Sequence, residues 1–525
     1  MNKNTLKQHT LSILVLFSLI LTGCGLSPTT VASAPTALAA SPTQVPVSIE
    51  STQPAPAATF TPSPAPTSST VTLTVLYTSD EHGWMEGVEP GRGAAEMVGL
   101  WNQNGYAKQG PVLILSGGDN WTGPAISTWF SGESMVDVMN AAGYQASAIG
   151  NHDFDFGLEG LRARLDQADF PYLAANLVDA ATGQVPSDLG WQPYTVIEEG
   201  GLRIGVIGLS NPITPLVTNP KNVEGFDFTD PEQALRDTMP LVKAENVDLT
   251  VVVSHLCLPE AMGLSKTLAE LGIALIGGGH CHEEGARQMG DVVVLGGGQF
   301  MESYAYAVFS VDPQDNTFQV NDLGTVDNQK GKADPEIASI IQDWKGQTDA
   351  ELNVSIGYLK TTIGRQSSRM ASLITESWLQ EFPDADVALT NWGGMRDMIP
   401  SGSVTISNLI SVMPFDNTIV SVRMTGAQLL SMLATDLAVG GLRHENGKWI
   451  VKSSGEKIDP AATYTVLVND FMFNGGDGYE ELATYDPQAI ETGLDWRQPV
   501  IDWIREQGST EQSPLNDALQ SLIDN

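Results

Sequence analysis

Five short polar clusters carry most of the histidine in this 525-residue chain, and their residue types set the chemistry it can do. They are Ser79-Asp80-Glu81-His82-Gly83, Gly117-Gly118-Asp119-Asn120, Gly150-Asn151-His152-Asp153-Phe154-Asp155, Ser254-His255 and Gly279-His280-Cys281-His282. Five of the seven histidines fall in these clusters, the other two being His9 and His444, a concentration that random scatter does not produce. Carboxylate and imidazole donors hold divalent ions at hydrolytic sites, and two ions about 4 Å apart need one shared carboxylate. Asp119 is the natural bridge. Asp80 and His82 stand at i and i+2, a spacing that puts both side chains on one side of an extended strand end, where they can chelate one ion. His280 and His282 repeat that spacing. Taken singly, each cluster is an ordinary turn or a hydrogen-bonded histidine. Five in order define a metal centre.

Positioning falls to the elements that precede the clusters. Each follows an abrupt end of a β-branched and aliphatic run: Val71 to Tyr77, Val112 to Leu115, Ala146 to Ile149, Leu249 to Val253 and Ile273 to Ile276. Apolar residues at consecutive positions are expected of strands covered on both faces. In α/β sheets, ligand sites lie beyond the carboxyl ends of the strands, so these five strands aim their ligand sets at one place.

Bulk properties agree with that chemistry. A chain of 525 residues with 42% hydrophobic composition supports two or more domains. A formal net charge of −36 excludes nucleic acid and anionic membrane surfaces as partners, because an acidic surface repels polyanions. An acidic protein that takes a phosphate-bearing substrate needs local positive charge, which metal ions supply.

The N-terminus reads as an address. Lys3 and Lys7 precede the apolar run Leu11 to Leu21, too short for a comfortable membrane span, and Leu21-Thr22-Gly23-Cys24 resembles a bacterial lipobox. Residues 1–24 are read as a signal peptide with Cys24 as the lipidation site, which expects an extracytoplasmic protein held at the bacterial cell membrane only through that lipid. Residues 25–70 are rich in Pro, Ser, Thr and Ala and read as a disordered stalk. Only Cys257 and Cys281 remain after Cys24. Two cysteines make no disulfide framework in a chain this long, and both read as small buried thiols, with a bridge between them left open.

Asp80-Glu81-His82, Gly118-Asp119, Gly150-Asn151-His152-Asp153 and Gly279-His280-Cys281-His282 match the metallophosphoesterase signature in order and spacing. Phe130-Ser131-Gly132-Glu133-Ser134 and the stretch Gly143 to Gly157 narrow the resemblance to the 5'-nucleotidase family, which includes UDP-sugar hydrolases and cyclic nucleotide phosphodiesterases. It continues through Asn391-Trp392-Gly393-Gly394-Met395-Arg396, Pro414-Phe415-Asp416-Asn417 and Asn469 to Tyr479. The resemblance implies an α/β fold: an N-terminal metallophosphoesterase α/β/β/α sandwich over residues 71–330 and a smaller C-terminal α/β substrate-binding domain over residues 353–525.

The same resemblance implies two divalent ions (Mn, Zn, Co or Ca). One is held by Asp80, His82, Asp119 and His282, the other by Asp119, Asn151, His255 and His280. His152 and Asp155 resemble the family's catalytic pair. Such ions bring the pKa of a bound water toward about 7, so that water attacks phosphorus in line. Phe415 and Phe471 occupy the positions that clamp the base, Asn391 and Arg396 those near base, ribose and phosphate, and Asp477 the one that meets ribose hydroxyls. Arg365 or Arg369 would supply a phosphate-binding charge, although the surrounding motif departs from the family's and weakens the case for strict mononucleotide preference. Residues 331–352 should form a connector, because Pro335 to Leu352 carries Ile337, Ile340, Ile341 and Trp344 at helical spacing. The expected protein is a monomeric nucleotide or nucleotide-sugar phosphohydrolase. A cyclic phosphodiesterase, a thiosulfate-ester hydrolase and a non-catalytic surface binding protein are the alternatives.

Overall fold

A computed structural model describes residues 70–329 and 332–524. The expected leader, Cys24 and nearly all of the stalk lie outside the described residues. No helix among the described residues is long and apolar enough to cross a membrane.

The N-terminal lobe is a sandwich of two six-stranded sheets. The first runs, edge to edge, Thr317–Asp327, Ser303–Asp312, Val71–Thr78, Val112–Ser116, Ala146–Ala148 and Tyr172–Leu173. The second runs Glu284–Met289, Val292–Gly297, Leu275–Gly278, Leu249–Ser254, Leu202–Leu209 and Tyr194–Glu199. Alternation along each strand separates three cores. Leu73, Val75 and Tyr77 meet Val251, Val253 and Leu275 between the sheets. Leu76 turns outward toward Met97, Trp101 and Ile337 on helices, while Val252 and Ile276 turn outward toward Leu235, Met239 and Leu268. Both faces of the central strands are therefore apolar, the cause of the continuous runs seen in the sequence.

All five expected strands form. The fifth begins later than expected, at Leu275, and extends through Gly277 and Gly278. A side chain at Gly277 would overlap the fully buried Tyr77 ring, so glycine lets the two sheets approach there.

The C-terminal lobe is built on a five-stranded sheet ordered Leu437–Gly440, Val387–Asn391, Thr463–Asn469, Thr418–Thr425 and Ile490–Asp495. One face packs Ala388 and Leu467 under the helices Ser368–Glu381 and Gln498–Glu506. The opposite face packs Val387, Leu389, Val466 and Val468 against Leu429 and Met432 of the helix Gly426–Met432. The lobes are joined by the helix Pro335–Leu352. It starts where expected because the Asp334 carboxylate accepts from the N–H groups of Glu336 and Ile337, with proline in the first turn. Ile337, Ile340, Ile341 and Trp344 all pack on the N-terminal lobe, whereas Leu352 at its end sits with Ala125 and Ile410 between the lobes.

Candidate metal centre and adjoining cavity

Loops from the carboxyl ends of both sheets converge on one buried point. Asp80 and His82 follow Val71–Thr78, Asp119 follows Val112–Ser116, and Asn151 follows Ala146–Ala148. From the second sheet, His255 follows Leu249–Ser254 and the pair His280 and His282 follows Leu275–Gly278. The backbone is not extended at these residues, as the i, i+2 argument supposed. Asp80, His82, Asp119, His280 and His282 have φ of 53°, 46°, 58°, 66° and 58°, all in the left-handed region. Such conformations are unfavourable for residues with a Cβ and persist where surrounding contacts over-determine them. Here Asp80 and His82 donate backbone N–H groups to the carbonyls of Gly118 and Asp119 at 3.0 and 2.9 Å, and the His280 N–H bonds the Asp80 carboxylate at 3.0 Å.

The side chains fall into two groups that share Asp119. Asn151 Oδ1 lies 3.2 Å from His255 Nε2 and 2.9 Å from His280 Nδ1, and Asp119 Oδ2 lies 3.0 Å from the same His255 nitrogen. On the other side, Asp119 Oδ2 is 3.8 Å from His82 Nε2, and His282 Nε2 is 3.6 Å from Asp80 Oδ1. Donors bound to one cation at about 2.1 Å stand roughly 3.0 to 3.4 Å apart, so the Asn151, His255, His280 and Asp119 spacings fit one ion and the other group is slightly looser. Asp80 Oδ2 is buried with no hydrogen-bond partner, an orphan that a cation would satisfy. The donor set therefore fits divalent ions. His280 and His282 join different groups, the division that the family resemblance implied and that their i, i+2 spacing alone did not.

Electrostatics leave a free lone pair on three of the four ligand histidines. Burial, reinforced by Arg396, holds His82 well below its ordinary pKa. Burial and the neighbouring His255 push His280 down to about 4, and burial and Arg396 do the same to His282. These imidazoles are neutral at neutral pH and keep a lone pair for a metal. Burial also opposes charge on His255, but the carboxylates of Asp119 and Asp80 push it up to about 10. Burial raises Asp80 to about 8, against the pull of His255.

Two acidic residues that sequence reasoning gave no role brace the loops. Glu81, fully buried, accepts from Thr78, Ser116 and Asn120. Asp153 accepts the backbone N–H groups of Asp119, Asn120 and Gly150 at 3.2, 3.0 and 2.8 Å. Backbone carbonyls orient the rings as well: His82 Nδ1 lies 2.8 Å from the Thr122 oxygen and His255 Nδ1 2.8 Å from the Gly117 oxygen, which turns each Nε2 inward. A signal for the two braces was present, since both carboxylates stand inside otherwise buried clusters and need partners there.

Beside the centre is a cavity of about 650 Å³ walled by both lobes. His152 enters it from the metal side with Nδ1 2.8 Å from Asp155 Oδ2. Burial disfavours the imidazolium of His152, yet Asp155 and Asp119 outweigh that and raise its pKa. The C-terminal lobe contributes Asn391, Arg396, Phe415, Phe471 and Asp477. Phe415 stacks on the His152 ring at 5.6 Å and 21°, and the Arg396 guanidinium lies 5.9 Å over the same phenyl ring and 3.5 Å from His82 Nε2. The Asn391 side-chain amide donates to Asp477 at 2.8 Å. Gly476 admits the Phe471 ring, which a side chain there would overlap.

Arg365 is not on the cavity wall. It is exposed, and its Nε donates to the Met395 carbonyl at 3.3 Å. Lys221, which sequence reasoning passed over, does line the cavity and pairs with Glu491 at 3.5 Å. The reading of Cys257 and Cys281 as buried thiols is also corrected: they form a disulfide, with Cys257 half-buried and Cys281 exposed.

Residues 73–284 match the family described as calcineurin-like phosphoesterase, and residues 346–484 match the 5'-nucleotidase C-terminal domain. A 5'-nucleotidase of Vibrio cholerae is 28% identical over 506 residues, covering 83% of this chain and 90% of its own. Protein UshA of Escherichia coli is also 28% identical, covering 81% and 89%. Among solved structures, a 5'-nucleotidase precursor of Thermus thermophilus superposes with a TM-score of 0.70 at 25% identity, over 84% of this chain and 97% of that one. The sulfate thiohydrolase SoxB of Thermus thermophilus shares the fold, with a TM-score of 0.64 at 18% identity over 83% and 94%.

Proposed function

We propose, from the premise that this chain belongs to the 5'-nucleotidase family of metallophosphoesterases and hydrolyses phosphoric esters, that it removes phosphate from nucleotides at a two-ion centre outside the cytoplasm. One observation carries the two-ion reading: the Asp119 carboxylate stands between the His255 group and the His82 group, 3.0 and 3.8 Å from their nitrogens. Asp80, His82, Asp119 and His282 would hold one ion, and Asp119, Asn151, His255 and His280 the other. Divalent ions there supply water activation and neutralise charge on the phosphoryl oxygens.

The remaining steps belong to the side chains. With Nδ1 bonded to Asp155, His152 keeps Nε2 for the phosphoryl group or for protonating the leaving oxygen, and Asp155 fixes the tautomer and raises the basicity of the ring. Arg396 brings a cation to the same point. Phe415 and Phe471 offer ring faces for a base, and Asp477, steadied by Asn391, offers a carboxylate to ribose hydroxyls. Residues 71–330 are read as the catalytic domain, 331–352 as the connector and 353–525 as the substrate domain, working as a monomer tethered through a lipid on Cys24.

Arg396 and Lys221 bring two cations to the cavity wall, where a phosphate-bearing substrate needs them. The test is phosphate release by chelator-treated protein resupplied with manganese, cobalt, zinc or calcium, on AMP, UDP-glucose, 2',3'-cyclic AMP and an aryl phosphate. Activity should vanish on chelation and return with one or more ions. Absence of turnover on all four substrates would overturn the proposal.

A further inference from the structure

The disulfide between Cys257 and Cys281 spans 24 residues of sequence, with Cα atoms 5.1 Å apart. Its cysteines join none of the apolar cores, and its exposure leaves it open to reagents. What it does join are the two loops that deliver every histidine ligand from the second sheet. Cys257 lies two residues beyond His255 and caps the helix Leu258–Gly263, its N–H donating to Glu260 at 3.0 Å. Cys281 lies between His280 and His282, the two left-handed residues at φ of 66° and 58°.

Apart from the bridge, few bonds tie these loops together. The Gly279 N–H donates to the Leu256 carbonyl at 2.8 Å, and the Leu258 N–H to the Glu283 carboxylate at 2.9 Å. Both lie to the sides of Cys281. Left-handed backbone at two of three consecutive residues holds only while something fixes the segment. Cys281 sits at its middle, with His280 facing Asn151 on one side and His282 facing Asp80 on the other.

We infer that the Cys257–Cys281 disulfide is a positioning element of the metal centre, clamping the His255 loop to the His280–His282 loop so that metal retention by both groups depends on the bridge being closed. This rests on the two-ion reading above. A water-soluble phosphine opens the bridge: phosphorus attacks one sulfur, the S–S bond breaks, and the other sulfur leaves as a thiolate. Water then converts the phosphorus–sulfur adduct to phosphine oxide and a second thiol, its remaining proton going to the thiolate. Phosphorus loses two electrons and the sulfur pair gains them.

Manganese is the probe, because thiols bind it poorly and freed cysteines will not hold it themselves. Equilibrium dialysis is run on the full chain untreated, on the full chain after phosphine treatment and removal of reagent, and on the Cys257→Ser/Cys281→Ser double variant. Reduced protein and double variant should bind both equivalents about ten- to hundredfold more weakly, the range typical of losing a group that orients metal ligands. Reoxidation should restore affinity in the wild type alone. Thermal unfolding separates positioning from a general brace. A brace lowers the melting temperature of metal-free and metal-loaded protein equally, whereas positioning shrinks the increment that manganese confers. Unchanged manganese affinity on reduction, with an unchanged increment, would overturn the inference and leave the two-ion reading intact. If the double variant does not fold, the phosphine-treated wild type decides. Failure of untreated protein to bind manganese, cobalt, zinc or calcium in the same dialysis would remove both.

Discussion

His152 and Phe415 stack with ring centroids 5.6 Å apart and 21° between their planes, so the group proposed for proton transfer and a ring proposed for base recognition touch across the two lobes. Recognition and chemistry share a contact. The second phenylalanine, Phe471, stands apart from His152 and packs over Gly476.

The two rings should therefore give different kinetic signatures. Phe471→Ala should raise KM for a nucleotide by roughly 5- to 150-fold, the equivalent of about 1–3 kcal/mol of stacking, and leave aryl phosphate turnover unchanged. Phe415→Ala should raise the nucleotide KM and also lower kcat on the aryl phosphate, because it removes the surface on which His152 rests. Steady-state kinetics on both substrates check this. An aryl phosphate kcat unaffected in Phe415→Ala would mean that the stack has no part in placing the imidazole.

Removing the imidazole itself should cost rate without costing metal. His152→Ala should lower kcat by about 10²–10⁴-fold, the usual range for a positioned acid or base. Asp155→Asn should lower it by less, since Nδ1 keeps a partner of altered character 2.8 Å away. Metal content measured on the same samples should equal that of the wild type. Loss of an ion in His152→Ala would reassign the residue as a ligand, a role that its nearness to His82 and Asp119 also allows.

A third expectation concerns the scaffold. Gly277→Ala places a methyl group into the Tyr77 ring, which is fully buried and hydrogen-bonded to the Ser254 carbonyl at 3.3 Å. Overpacking of this kind costs about 1–3 kcal/mol, and denaturant unfolding should register it as a lower midpoint with unchanged slope. Ser254 immediately precedes His255, so weakened metal affinity should accompany the loss of stability. A midpoint equal to wild type would mean that the sheets can part at Gly277 without penalty.

Much of this site was legible because its residue types are chemically unusual at the ends of apolar runs. Asp80, His82, Asp119, Asn151, His255, His280 and His282 all reach the one point. The connecting helix was legible from an aspartate cap and four apolar residues at helical spacing. Other features depend on three-dimensional facts that no local pattern encodes. The left-handed backbone at Asp80, His82, Asp119, His280 and His282 is set by the loop contacts around them and not by any local run. Strands such as Glu284–Met289 were missed because a mostly exposed edge strand carries no apolar run. The Cys257–Cys281 bridge arises because two loops 24 residues apart fold against each other, and the bond from Arg365 to the Met395 carbonyl joins segments 30 residues apart.

The left-handed backbone of five ligands governs how this centre should be dissected. Substituting a β-branched residue at His82, His280 or His282 would damage the loop whether or not an ion was lost, and the two causes would be indistinguishable. Asparagine tolerates that conformation better than most residues. A His→Asn series with His→Gly as its companion would isolate the imidazole from the main chain, whereas an alanine or valine scan would report on both at once.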